Sequence, residues 1–363
     1  MSNSPNPTKR LPEAPRRILA IKNKHIGDII CVLPALLALH RQFPQAKLDV
    51  IVSQRTSELV RGLPWIADVF EVPKKGTGWR RLREELALFR KVMRAGYDLV
   101  VDFTWSDRAM WYALGSGAKD RWAIQVTAGF FLKPYAYTNY GGKPNKEHHV
   151  VEHEREFLVK MGLPPYEPEF QFPPTPEEES VLTKWLAGQG IDRQRLVVVH
   201  PTSRWLFKCW HDERVAALVD WLADNGWQVV FTCGPDAREL EKARAILKLT
   251  KAKVPTRLGD MTLRELAALL RLARFFFGMD SAPMHLAAAV NTPALALFGP
   301  SQVARWRPYG KIHQVIAGEC HCLGREPLCD KSKVMDCLSK ITLDQVQRVI
   351  ETHFALPAAG HKS

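Results

Sequence analysis

Four short segments combine side chains that can move a proton or hold an anion. The first, Asn23-Lys24-His25-Ile26-Gly27-Asp28, ends on a carboxylate behind a glycine. Asp28 can serve as a general base toward a hydroxyl; it can equally be the N-cap of a helix, a role that stabilises by about 1 kcal/mol. The second runs from His200 to Trp210 and places Thr202, Ser203 and Lys208 close together. Two hydroxyls and an ammonium suit a phosphate or diphosphate, although an exposed loop would also tolerate them. The third, Cys233-Gly234-Pro235-Asp236, has turn composition, and Asp236 can cap a helix or hold a ribose hydroxyl. The fourth, Gly278 to His285, carries Asp280, Ser281, Ala282 and His285. A helix opening there presents free N–H groups to an anion. Capping alone explains Asp280 and Ser281 but gives no reason for His285.

Each segment follows an apolar run that reads as a buried strand. Arg17–Lys22 precedes the first, Leu196–His200 the second, Gln228–Cys233 the third and Arg274–Met279 the fourth. Helical stretches at 28–43, 77–94, 212–225, 236–247, 262–273, 282–290 and 342–354 alternate with these runs and with strands at 48–53, 68–72, 98–103 and 293–298. Apolar strands alternating with helices indicate parallel sheets covered on both faces. Residues 163–176 hold six prolines and divide the pattern in two. The expected organisation is a disordered extension at 1–15, a Rossmann-like domain at 16–165 and a linker at 166–176. A second Rossmann-like domain at 177–340, a helix at 341–355 packing back toward the first domain, and a tail at 356–363 complete it. Ligands of such folds bind at the carboxyl ends of the strands, which is where the four segments lie. Neither a GxxxxGK[ST] loop nor a GxGxxG after the first strand occurs.

The chain has 363 residues, 46% of them hydrophobic and 25% charged, enough to fill two cores. No run approaches the roughly 18 apolar residues of a membrane span. The first residues, MSNSPNPTKRLPEAPRR, have no apolar core of a secretory signal, so a cytoplasmic chain is expected. Seven cysteines argue against a secreted disulfide framework. The formal net charge of +13 favours anionic partners: nucleic acid, anionic lipid or a phosphorylated glycan.

The strings KNKHIGDIICVLPAL and GMDSAPMHLAAAVNTPALALFGPS resemble the ADP-heptose:lipopolysaccharide heptosyltransferases, glycosyltransferase family 9, over residues 17–350. PTSRWLFKCW is most similar to the branch that adds the third heptose of the inner core. The resemblance implies a GT-B fold, two Rossmann-like domains whose parallel sheets face across a cleft. It also implies an inverting transfer from ADP-L-glycero-D-manno-heptose to the lipopolysaccharide core–lipid A acceptor. Asp28 matches the general base, and Thr202, Ser203 and Lys208 match the diphosphate loop. Asp280, Ser281, Ala282 and His285 match the donor motif, and Asp236 the nucleoside carboxylate; Ala282 replaces a glycine of some relatives. Lys208 and a helix N-terminus can stabilise the leaving diphosphate without a metal, and no Asp-x-Asp motif is present. No cofactor or metal is therefore expected.

Three further signals carry alternatives. His149-Val150-Val151-Glu152-His153 matches H-x-x-E-H, a five-residue match that chance supplies easily. Cys320, Cys322, Cys329 and Cys337 could form a structural metal or disulfide cluster, or remain thiols. Segment 74–94 holds eight basic and two acidic residues. Along its helix Arg80, Arg83, Arg90 and Arg94 share one side and, with Lys24, form a candidate acceptor or membrane face, while Leu82, Leu86, Phe89 and Met93 are expected to face the core. Together with the resemblance, the basic face implies a protein peripheral to the inner face of the inner membrane. Competing readings are the same chemistry on another core position or a protein, and an anionic-polymer binding protein. The latter requires basic residues interleaved with exposed aromatics, which only Trp79 beside Arg80 and Arg81 offers, so no nucleic-acid partner is expected.

Overall fold

A computed structural model describes residues 11–12, 14–73, 78–104, 106–124, 133–142, 145, 147–172, 174–320, 322 and 335–355. The chain divides into two units, Met1–Gln171 and Phe172–Ser363, with the boundary inside the proline-rich stretch. The first unit contains β1 (Arg17–Lys22), α1 (Ile26–Gln42), β2 (Lys47–Ser53), β3 (Asp68–Val72), α2 (Trp79–Arg94), β4 (Leu99–Asp102), α3 (Asp107–Gly115), β5 (Asp120–Ala123), α4 (Lys133–Ala136), β6 (Asn139–Tyr140) and α5 (Val150–Lys160). The second contains α6 (Pro176–Gly188), β7 (Leu196–His200), α7 (Asp212–Asp224), β8 (Gln228–Cys233), α8 (Ala237–Leu249), β9 (Thr256–Leu258), α9 (Leu263–Leu272), β10 (Phe275–Met279), α10 (Ala282–Ala289), β11 (Ala294–Phe298), α11 (Val303–Trp306), β12 (Gln314–Ala317), α12 (Asp336–Ser339) and α13 (Leu343–His353).

Each unit is built on a six-stranded sheet, ordered β3-β2-β1-β4-β5-β6 in the first and β12-β11-β10-β7-β8-β9 in the second. Every pairing is parallel. Counted within its own unit, each order is 3-2-1-4-5-6, the doubly wound arrangement whose ligand crevice opens where the winding reverses. The reversal lies between β1 and β4 in one unit and between β7 and β10 in the other. Helices cover both faces of these sheets, so the central strands have no polar face. That is why Leu196–His200, Phe275–Met279 and Ala294–Phe298 are buried along their whole length. Gly226 ends α7 with φ 80, a left-handed turn that glycine adopts without steric cost.

The C-terminal helix is anchored in the second unit: Val346, Ile350 and Phe354 enter its core, and Phe354 stacks on Phe275 at 4.6 Å. The preceding segment is tied down there as well: the Trp210 indole N–H donates to Ile341 O at 3.1 Å, and Arg214 donates to Ser339 O at 2.7 Å. One sequence expectation is corrected, and it concerns α2. Leu88 and Val92 are its buried residues, whereas Leu82, Leu86 and Met93 are exposed and Phe89 is half-buried. Glu85 accounts for this roll. It accepts from the Tyr112 hydroxyl of α3 at 2.6 Å and pairs with Arg108 at 3.1 Å, which turns the row Glu85–Leu88–Val92 inward.

Candidate active site

In the first unit β1 delivers the chain to the reversal point. Its last residue, Lys22, is charged yet buried; its ammonium donates to Glu154 of α5 at 2.7 Å and to Phe103 O at 3.1 Å. Burial alone would lower the Lys22 pKa, but the charges of Glu154 and Asp28 hold it above its ordinary value. The Asp28 carboxylate is thus within electrostatic reach of this pair. The Asn23 N–H donates to the Thr104 hydroxyl at 2.8 Å, pinning the loop to the end of β4. Helix α1 then starts two residues before Asp28. Its N-cap is His25, and Asp28 occupies the third helical position, where its carboxylate accepts from the His25 N–H at 3.3 Å. The N-cap reading of Asp28 is therefore replaced by a capping box, in which the third residue reaches back to the cap. Lys24 is exposed beside it.

In the second unit three adjacent strands, β10, β7 and β8, bring their carboxyl-terminal loops together. β10 and β7 are in register with Gly278 opposite His200. A Cβ on Gly278 would lie 2.8 Å from His200 O and 2.5 Å from the Phe276 ring, so this approach requires glycine. Beyond the paired ends, the Lys208 ammonium donates to Asp280 at 2.6 Å, both largely buried. Thr202 and Ser203 are buried. Ser281 stands at the N-cap of α10 without capping it, and its buried hydroxyl has no hydrogen-bond partner among the described residues. Ala282 is the first residue of α10. His285 lies one turn in, buried with its ring edge-on to Trp306 at 6.1 Å. The structure therefore gathers Thr202, Ser203, Lys208, Asp280, Ser281, Ala282 and His285 around two neighbouring loops. The Lys208–Asp280 ion pair, the Ser281 hydroxyl, which has no partner among the described residues, and the N-terminus of α10 thus lie at the ends of β7 and β10.

Asp236 follows β8 and lies within electrostatic reach of Glu239, which bonds Thr202. Asp236 is exposed and caps α8, accepting from the Arg238 N–H at 3.1 Å. The carboxylate that reaches the loop is Glu239, which accepts from the Thr202 hydroxyl at 2.8 Å. Burial pushes its carboxyl above the usual range, against the hydrogen bonds from Thr202 and Gly234. Gly234 makes room for it, since a Cβ there would meet the Glu239 carboxylate at 2.7 Å. Sequence reasoning missed both Glu239 and Lys22. The usable signal for Lys22 was a lysine closing an otherwise apolar strand, a position that demands a buried partner.

His200 ends β7 with Nδ1 2.9 Å from the Thr232 hydroxyl. Burial lowers its pKa to about 3, so it stays neutral beside Thr202. Unfolding restores a value near 6.5. Between pH 6.5 and about 3 the unfolded chain therefore binds a proton that the native chain does not. Stability falls as pH drops through that window, by at most about 1.4 kcal/mol per pH unit from this group. His200→Gln should flatten the loss of urea stability between pH 7 and pH 5. His313, lowered by burial to about 4, shares the window and leaves a residual slope. An unchanged slope in the variant would contradict a neutral His200.

The side chains of the histidine string at 149–153 make local contacts. His149 caps α5, its Nδ1 accepting from the Val151 N–H at 3.1 Å; Glu152 pairs with Arg155 at 2.6 Å; the His153 ring contacts Asn145 O. Cys320, Cys322 and Cys337 form no disulfide with one another, and no metal-holding group of side chains occurs among the described residues. Cys329 lies outside the described residues. On α2, Arg80, Arg83, Arg90 and Arg94 are all exposed.

The profile of glycosyltransferase family 9 (heptosyltransferase) matches residues 85–349. The lipopolysaccharide heptosyltransferase 3 of Escherichia coli is 31% identical over 302 residues, covering 81% of this chain and 86% of that protein. Among solved structures, a family 9 glycosyl transferase from Veillonella parvula superposes with a TM-score of 0.79 at 21% identity, covering 93% of this chain and 97% of its own. The Escherichia coli heptosyltransferase WaaC with ADP superposes with a TM-score of 0.72 at 22% identity, covering 93% of this chain and 99% of its own. Both superpositions agree with a GT-B pair of Rossmann-like units. The chain belongs to glycosyltransferase family 9 (heptosyltransferase) and is a glycosyltransferase.

Proposed function

We propose that the protein transfers heptose from ADP-L-glycero-D-manno-heptose to the inner core of lipopolysaccharide, at the position of the third, branching heptose. The observation that carries this reading is the anion-binding group at the β7/β10 reversal: Lys208 on Asp280, buried Thr202 and Ser203, and the unpartnered Ser281 hydroxyl at the head of α10. It supplies the charge and donors a diphosphate needs. A relative at 31% identity named lipopolysaccharide heptosyltransferase 3 supports the acceptor class, and a like-folded enzyme solved with ADP supports the nucleotide.

In this reading the second unit holds the donor. The acceptor hydroxyl oxygen attacks the anomeric carbon as the bond to the diphosphate oxygen breaks, inverting that carbon. The hydroxyl proton passes to the Asp28 carboxylate. ADP leaves with its new charge facing Lys208 and the α10 N-terminus, which take the part a metal plays in other transferases. Asp236 and the neighbouring Glu239 are the carboxylates suited to the nucleoside's hydroxyls. The exposed arginines of α2 attract a phosphorylated acceptor in an anionic bilayer, so the enzyme works peripherally at the cytoplasmic face of the inner membrane.

The test is ADP release, followed chromatographically, with a core acceptor and equal concentrations of ADP-heptose, a GDP-sugar or a UDP-sugar. Acceptor-dependent release from ADP-heptose alone is expected. Equal turnover of the three donors would refute the donor assignment.

A further inference from the structure

Helix α2 leaves a row of large apolar side chains in solvent. Trp79 is 73% exposed, Leu82 47%, Leu86 41% and Met93 53%. These are four of the ten exposed large hydrophobics among the described residues, and they lie on one helix. At about 100° per residue they fall within about 60° of arc. Scattered exposed apolar residues are ordinary, but a contiguous stripe marks an interaction surface. The stripe lies beside the buried row of Leu88 and Val92, so it is a separate face and not the edge of the core contact. The next roughly 60° of arc carries Arg83, Arg90 and Arg94, all exposed.

We propose that α2 lies in the headgroup region of an anionic bilayer, with Trp79, Leu82, Leu86 and Met93 inserted among the upper acyl chains and Arg83, Arg90 and Arg94 held by lipid phosphates. The inference extends the charged-face reading above and rests on it for the choice of an anionic surface. Its new content is apolar insertion, which a purely electrostatic face lacks. An apolar stripe flanked by arginine, with tryptophan at the border, is the pattern of a helix lying in the interface plane. Long arginine side chains can reach back to the phosphates while the stripe goes deeper. A second copy of the chain fits less well. A two-fold contact sets the same patch against itself and would bring the two arginine rows together. One stripe of a single helix also falls short of the about 800 Å² per partner of a stable interface.

The test uses the full chain and vesicles of phosphatidylethanolamine and phosphatidylglycerol, read by flotation at low salt and at about 1 M NaCl, where the screening length is about 3 Å. One variant carries Trp79→Ser, Leu82→Ser, Leu86→Gln and Met93→Gln. The other carries Arg83→Gln, Arg90→Gln and Arg94→Gln. All seven side chains are exposed, so both variants should melt as the parent does. The arginine variant should lose binding mainly at low salt. The stripe variant should lose about tenfold or more at both salts, removing the salt-resistant fraction that burial of apolar area supplies. Trp79 emission, isolated by subtracting a Trp79→Phe variant, should shift to the blue on vesicles and be quenched by brominated acyl chains. A stripe variant that floats like the parent, with Trp79 emission unmoved, overturns insertion while leaving the charged face intact. An arginine variant that binds normally at low salt overturns the charged face instead. Concentration-dependent dimers abolished by the stripe variant, without vesicle binding, would assign the stripe to a second copy and overturn the proposal.

Discussion

Replacing Asp28 by asparagine should lower turnover roughly 10²–10⁴-fold, the usual share of general base catalysis, while the protein stays folded and still binds ADP-heptose. A sugar hydroxyl is a poor nucleophile and must lose its proton as it attacks. The base must come within about 3 Å of that hydroxyl, and an amide cannot accept the proton. The structure sharpens the design. Asp28 is the third residue of α1, and its carboxylate accepts from the His25 N–H. Asparagine keeps an oxygen there, so the capping contact survives. What it loses structurally is part of the negative charge that supports the buried Lys22 ammonium, which Glu154 still pairs, and the charge–dipole interaction at the helix start, the latter worth about 0.3–1 kcal/mol and a few degrees of melting temperature. Asp28→Ala removes base and contact together, and should match the asparagine variant in turnover while melting lower. Retained turnover with lowered melting would reduce Asp28 to a capping-box residue.

Replacing Lys208 by alanine should cost on the order of 2–4 kcal/mol of transition-state stabilisation, read as kcat/KM at low donor concentration. The ammonium is held by Asp280 at the head of α10, where departing diphosphate would gather charge. Its loss removes the countercharge from Asp280, which is 8% exposed. Some stability should therefore be lost as well. The two roles separate by titration with ADP: a donor-site lysine weakens ADP binding, whereas a purely structural one lowers melting and leaves binding alone. Unchanged kinetics at low donor concentration would exclude Lys208 from the site.

The architecture was legible because doubly wound sheets bury their central strands on both faces, and runs such as LVVVH and PALALF stand out against any helix period. The loops after β1, β7, β8 and β10 could be named for the same reason: a strand end fixes where the next residues go. Strand order brings the Thr202 and Asp280 loops together, and register is invisible in the chain. Three points were hidden because they depend on contacts across the fold. Glu239 reaches Thr202 only because Gly234 leaves room; Lys22 is neutralised from Glu154, 132 residues away; and Glu85 rolls α2 so that the apolar row expected inside lies outside. Cap positions slipped for a local reason. Asp28 follows glycine and looks like a cap, yet His25 assumes that role and the helix begins earlier.

The most direct measurement of the central claim is mass spectrometry of a series of truncated core acceptors after incubation with ADP-heptose. A single added heptose is expected on the acceptor that already carries two, with no addition to shorter ones. Addition to an acceptor with no heptose or one would move the enzyme to another step of core assembly. No heptose on any acceptor, with ADP-heptose bound, would contradict the assigned function.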